Sequence, residues 1–320
     1  MRLIQFLDVD GNKKTGKVEG KNIRVLEKIT SVYDLFDYAE AHHSDIISSV
    51  ETLLSDVSVD YDWLDMEGKI LLPVDHKDPY HTWITGTGLT HMGSADSRNK
   101  MHQGPEDDTN NTISDSLKMF QAGLQNGKLI DGRPGEQPEW FFKGNGLTVS
   151  LPGKDLPMPE FALDGGEEPE IGAVYIINNK GIPKRIGFVL GNEFSDHQME
   201  KQNYLNLAHS KLRYCSYGPE ILLTDLPSNI MGQSKIIRNN EIVWEKAFST
   251  GEDNMSHNLL NIQHHHFKYN LFRQPGDLHI HFLGTSVLSY TDNFKTKVND
   301  IFHIESAVMG KPLINRLVVS

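Results

Sequence analysis

Short hydrophobic runs separated by turn residues dominate this chain, and two of them organise the rest. Ile171, Ala173, Val174, Tyr175, Ile176 and Ile177 form an apolar run that reads as a β-strand. The turn Asn178-Asn179-Lys180-Gly181 comes next, and a second strand-like run spans 186–191. Residues 1–10 read as a strand and turn. Apolar positions alternate around Glu19-Gly20-Lys21, which predicts a hairpin over 15–26. Residues 31–39 begin a helix with Ser31 as its cap. The stretch 104–135 is polar, but 113–124 has helical spacing and reads as an inserted helix near a site entrance. From Trp140 onward, short apolar runs alternate with turns, which predicts a β-rich core. Helical patches are expected at 196–204 and 256–272, and a strand at 277–283. No repeat of fixed period and no low-complexity tract interrupts this order.

The strand at 171–177 opens with Glu168-Pro169-Glu170. Residues two apart on a strand point to one face, so both carboxylates project together. Two hard anionic oxygens side by side suit Mg²⁺, Mn²⁺ or Ca²⁺; the plain alternative is a solvated acidic strand end. The second strand runs into Asn192-Glu193-Phe194-Ser195-Asp196, where Glu193 can add a third carboxylate. Lys211 lies further on, a residue type that can hold substrate oxygens beside a metal and steady an enolate; its plain alternative is a surface lysine.

The ordered set resembles the fumarylacetoacetate hydrolase superfamily over about residues 80–320. The family's E-x-E is Glu168-Pro169-Glu170, and its ND-x-S-x-R-D is Asn192-Glu193-Phe194-Ser195-Asp196-His197-Gln198. Its Lys and Gly-Pro are Lys211 and Gly218-Pro219; its GD and TGTP are Gly276-Asp277 and Leu283-Gly284-Thr285-Ser286. Its P-x-x-F-x-K entry strand is Pro138 to Lys143. Departures accompany the match: Glu193 replaces an Asp, the family's Arg is missing, and the TGTP is reduced. The hydrolases carry a His and, three residues on, a Glu on a mobile lid, where this chain has His91 and Ser94. The segment around Gly86, Gly88, His91 and Arg98 resembles a GguC-like sugar-catabolic branch whose relatives include 2-keto-3-deoxy-pentonate dehydratases.

The resemblance implies an α+β, β-rich fold: a mixed β-sandwich roll core over 76–320 with a small N-terminal α+β domain over 1–75. It implies a metal at Glu168, Glu170 and Glu193, Mg²⁺ first, with Mn²⁺ or Ca²⁺ as substitutes. Lys211 and His91 would be catalytic, with His91 on a lid spanning 86–104. Lys143, Arg98 and Thr285 would meet the substrate, and a homodimer is expected. The expected reaction is dehydration of a 2-keto-3-deoxy sugar acid through a metal-stabilised enolate. One alternative is C–C hydrolysis of an acylpyruvate or 2,4-diketo acid; the other is a non-catalytic sugar-acid binding protein.

Composition narrows the partners. The 320 residues carry 31 Lys and Arg against 43 Asp and Glu, a net charge of −12. No basic run of five exists, which disfavours nucleic acid. The N-terminal apolar run is too short for a signal peptide, and no apolar stretch approaches the ~18 residues of a membrane span. The single Cys215 fits a reducing cytoplasm and rules out an intramolecular disulfide. His264-His265-His266 cannot chelate one ion from a regular helix, because adjacent helix residues do not share a face. One or two of them are expected buried at a packing contact. His279 and His281 share one strand face and are not assigned as ligands. A Rossmann fingerprint and a G-x-S-x-G motif are both lacking.

Overall fold

A computed structural model describes residues 1–93 and 114–320. Among these, the dominant element is an eleven-stranded mixed sheet. Its first part is β1 (Arg2–Leu7), β2 (Lys13–Glu19), β3 (Asn22–Leu26) and β4 (Leu54–Asp60). Its central part is β5 (Thr82–Gly88), β6 (Glu139–Asn145), β7 (Val149–Ser150), β9 (Pro169–Ile177), β10 (Pro183–Asn192), β11 (Cys215–Leu222) and β14 (Leu278–Phe282). The strand order is β4-β3-β2-β1-β11-β10-β9-β14-β5-β6, with β7 attached to β11. A second sheet of five strands packs against it in the order β13-β12-β15-β16-β8. Its members are β8 (Asp155–Met158), β12 (Ile230–Arg238), β13 (Glu241–Thr250), β15 (Ile301–Glu305) and β16 (Leu313–Val319).

The central strands are the predicted apolar runs. Every residue of β9 is buried, as a strand covered on both faces requires. One face packs Val174, Ile176 and Ile280 against Leu35 and Phe36 of the N-terminal helix. The other packs Tyr175 and Phe188 against Ile304 and Leu313 of the second sheet and Ile262 of the helix Leu259–Phe267. The N-terminal hairpin is β2–β3, and the predicted first helix is Val32–Ala41. Ser31 caps it through a reciprocal pair, its hydroxyl accepting from Asp34 N–H while Asp34 accepts from Ser31 N–H. Residues 1–75 share the large sheet: β1 pairs antiparallel with β11, Leu3 opposite Ile221. The inserted helix is Asp115–Asn126, capped by Ser114. No helix among the described residues is long and apolar enough to cross a membrane.

Candidate metal centre

Strand register assembles the acidic triad. In the β9–β10 pair Gly191 lies opposite Glu170 and Asn192 opposite Pro169. The ladder runs one step further, Glu193 N–H donating to the Glu168 carbonyl at 3.0 Å. Glu193 therefore lands beside the same-face pair Glu168 and Glu170. One carboxylate oxygen from each of the three lies within 4.8 Å of the others, and all three residues are buried.

Two ammonium groups reach this cluster. Lys211, at the end of the short helix Leu207–Lys211, donates to Glu168 Oε1 at 2.5 Å, Glu193 Oε2 at 2.6 Å and Ser195 Oγ at 3.1 Å. Lys143, on β6, lies 2.7 Å from Glu193 Oε1 and donates to the carbonyls of Phe194 and Lys211 at 2.5 and 3.0 Å. His197 Nε2 contacts Glu168 Oε1 at 3.1 Å. Gly166 makes room for that ring: an added Cβ there would stand 2.4 Å from His197 Nδ1. Glu170 accepts from the Gly284 N–H at 2.7 Å.

Charge is unevenly shared. Burial raises the Glu168 pKa, but the nearby Lys211 and His197 outweigh it and hold the group well below the usual carboxylate range. Burial pushes Glu170 well above that range, and the charges of Glu193 and Glu168 push it further. Burial also raises Glu193, opposed by Lys143 and Lys211. Burial would lower His197, but its contacts with Asp164 and Glu168 lift it to about 10, so the ring is an imidazolium. Three buried carboxylates with one forced toward its neutral form are what a hard divalent cation relieves. The all-oxygen donor set fits Mg²⁺ chemistry.

The expected site residues separate on inspection. Glu168, Glu170, Lys211 and Thr285 line one small cavity of about 30 Å³. Lys143 directs its ammonium to Glu193 and two backbone carbonyls, contacts that position Glu193. His91 is placed apart from the triad. It is buried outside the cavity wall, with ring nitrogens at Thr250 Oγ1 (2.8 Å) and Thr90 Oγ1 (3.1 Å), and burial lowers it to about 4. The start of the expected lid is fixed structure. Gly86 and Gly88 belong to β5, His91 bridges to Met255, and an added Cβ at Gly86 would strike the Phe141 ring. Arg98, Ser94 and the rest of that lid lie outside the described residues.

Residues not singled out from the sequence complete the wall: His197, Glu200 and Glu139, whose Oε2 accepts from Tyr204 Oη at 2.7 Å. His197 occupies the place of the family's Arg, a signal available in the motif alignment. Glu139 stands inside the entry-strand motif, but its direction depends on the β5–β6 pairing.

The other histidines form a separate packing cluster. His266 Nε2 meets His279 Nδ1 at 3.1 Å, and His281 Nδ1 meets Thr85 Oγ1 at 2.8 Å. Burial lowers both His279 and His281 to about 3. A histidine whose folded pKa lies below its unfolded value binds fewer protons folded, so stability falls as pH drops below about 6.5. Between pH 6.5 and 4.5 these two groups are expected to withdraw roughly 4–5 kcal/mol of unfolding free energy. Denaturant unfolding across that range checks this, and His281→Gln should remove about half of the loss. A stability difference between wild type and His281→Gln that stays constant across that pH range would contradict the buried neutral assignment.

No protein-family model matches the chain, and no curated protein matches it. Solved structures do. A 2-keto-3-deoxy-D-arabinonate dehydratase in its apo form aligns with a TM-score of 0.71 and 18% identity over 100% of this chain and 99% of that one. A 2-keto-3-deoxy-D-arabinonate dehydratase complexed with magnesium and 2,5-dioxopentanoate gives 0.70 and 17% over the same shares. A 5-carboxymethyl-2-hydroxymuconate delta-isomerase from Mycobacterium smegmatis gives 0.60 and 13%, with both chains fully covered. The likeness establishes the fold expected from the motifs, a β-rich α+β architecture shared with these proteins along the whole chain.

Proposed function

We propose that the protein is a divalent-metal-dependent lyase that dehydrates a 2-keto-3-deoxy sugar acid, such as a 2-keto-3-deoxy-pentonate. The observation that carries this is the buried Glu168–Glu170–Glu193 triad with Lys211 inserted between two of its members. The similar fold of a dehydratase complexed with magnesium and a 2,5-dioxo acid supports it. A cation held by the three carboxylates would supply Lewis-acid polarisation of the substrate's carboxylate and 2-keto oxygens.

The chain's own groups do the rest. Lys211 brings positive charge to the edge of the cavity where negative charge develops as the C3 proton leaves. Glu139 lines that cavity outside the triad and would take this proton. His197, held as an imidazolium, is placed to assist departure of the C4 hydroxyl. The C3 proton and then the C4 hydroxyl leave, together one water. A proton shift from C5 to C3 then gives the C4–C5 enol, and transfer of the enol O–H proton to C4 gives the C5 aldehyde.

The test is incubation with Mg²⁺ and either a 2-keto-3-deoxy-pentonate or an acylpyruvate. A 2-oxo semialdehyde from the first supports the proposal. Pyruvate from the second, with the first untouched, would assign C–C hydrolysis instead. Ligand-dependent thermal stabilisation without any product would mark a binding protein. Glu139→Gln should lower kcat by about 10²–10⁴-fold with metal affinity retained; wild-type turnover in that variant would remove Glu139 from the proton transfer.

A further inference from the structure

A second cavity of about 310 Å³ adjoins the metal cavity, and the two share Thr87 and Glu139 as a common wall. The metal cavity alone, at about 30 Å³, has room for little more than the carboxylate and keto end of an acid. Past Thr87 and Glu139 the larger cavity offers room for the part of the acid beyond C3.

The chemistry of that cavity is apolar. Trp140, Tyr204, Leu207, Ile262, Met119 and Tyr269 supply half of its lining residues. Most of its polar side chains are already bonded within the protein. Trp140 Nε1 donates to His266 Nδ1 at 3.2 Å, and the other nitrogen of His266 meets His279. Tyr204 donates to Glu139 at 2.7 Å. His265 Nε2 meets the Gly135 carbonyl at 2.9 Å, and Gln137 accepts from Lys268. A chain of hydroxyls seated there would give up water without equivalent partners, whereas an aryl or alkyl group would gain contact with the aromatic wall.

We infer that this cavity is the subsite for the distal end of the substrate, and that the acid accepted there carries an apolar or aryl tail beyond its 2-keto-3-deoxy head. The inference rests on the proposed 2-keto-3-deoxy head group sitting at the triad, and it extends the acids accepted, beyond a short sugar acid such as a pentonate, to 4-hydroxy-2-keto acids with an apolar extension.

Calorimetric titration of the whole protein with Mg²⁺ present tests it, using three acids: 2-oxobutanoate, 2-oxo-4-phenylbutanoate and a six-carbon 2-keto-3-deoxy-hexonate. The phenyl acid should bind at least about tenfold more tightly than 2-oxobutanoate, and the hexonate no more tightly than 2-oxobutanoate. Trp140→Ala should bring the phenyl-to-butanoate affinity ratio toward one. Met119→Asp, at a half-exposed position that folding tolerates, should do the same. Mg²⁺-dependent binding of 2-oxobutanoate with no gain from the phenyl group would overturn the tail assignment and leave the proposed reaction standing. A gain from the hexonate equal to that from the phenyl acid would overturn it too. If none of the three binds in a Mg²⁺-dependent way, the placement of the head group fails, and the subsite fails with it.

Discussion

Glu170→Gln is expected to abolish the thermal stabilisation that Mg²⁺ gives the wild-type protein while leaving the metal-free protein as stable as before, or more so. Without a cation, burial and the charges of Glu193 and Glu168 push Glu170 toward its neutral form, which Gln closely copies. The amide removes the ligand charge and with it, by expectation, at least about 100-fold in metal affinity. The same shift fixes the sign with pH. A carboxyl whose folded pKa is raised above its usual 4.5 stabilises fully below that value, and this contribution is lost as pH rises through the raised pKa. The metal-free protein should therefore lose stability with rising pH through this group, while Mg²⁺ affinity rises, because the cation displaces its proton. Thermal melts with and without Mg²⁺ at several pH values check both slopes. Glu168→Gln should also weaken the metal, but it leaves Lys211 and His197 with less counter-charge, so it should destabilise the metal-free protein as well. An unchanged Mg²⁺ response in both variants would remove the triad as the metal centre.

Lys211→Met is expected to have the second large effect, on two observables at once. Methionine keeps most of the stem but removes the ammonium that lies 4.9 Å from the centroid of the Phe141 ring. It loses three donors, two of them to buried carboxylates. Breaking a buried ion pair on one side costs about 3–5 kcal/mol, so the metal-free protein should be destabilised on that scale. Mg²⁺ supplies the missing positive charge, and the metal-induced rise in Tm should be larger than in the wild type. Turnover should fall by about 10²–10³-fold, mostly in kcat, because the negative charge Lys211 faces grows toward the transition state. A loss confined to KM would recast Lys211 as a carboxylate anchor. Wild-type kinetics would give it a structural role alone.

The triad and Lys211 are legible in the sequence because strand alternation is a local rule. Glu168 and Glu170 share a face whatever surrounds them, and Glu193 joins them through the short turn between β9 and β10. The role of Lys143 is not legible, because it depends on the two carbonyls that the chain brings to it from Phe194 and Lys211. The surroundings of His91 are not legible, because a glycine-bearing segment looks free in sequence. Gly86 is in fact demanded by the close Phe141 ring, and the bridge to Met255 holds His91 in place. His197 escapes a match made on residue type instead of position. It stands where the resembled family motif carries an Arg, and it contacts Glu168 Oε1, its charge maintained by Asp164 and Glu168. The separation of His266, His279 and His281 from the metal centre is legible only in part. Their strand and helix faces are readable, but their mutual contact is set by packing.

Proton exchange at C3 of a simple 2-keto acid in D₂O tests the central claim most directly, since it asks for enolate formation at the metal centre whatever bond breaks afterwards. With 2-oxobutanoate and Mg²⁺, the wild-type protein should erase the C3 proton signal in the NMR spectrum. The signal should persist with Glu170→Gln or after chelation of the metal. Exchange that proceeds equally without Mg²⁺ and in Glu170→Gln, or no exchange by a wild-type protein shown to bind both Mg²⁺ and the acid, would contradict the assignment of Glu168, Glu170 and Glu193 as the centre that makes the enolate.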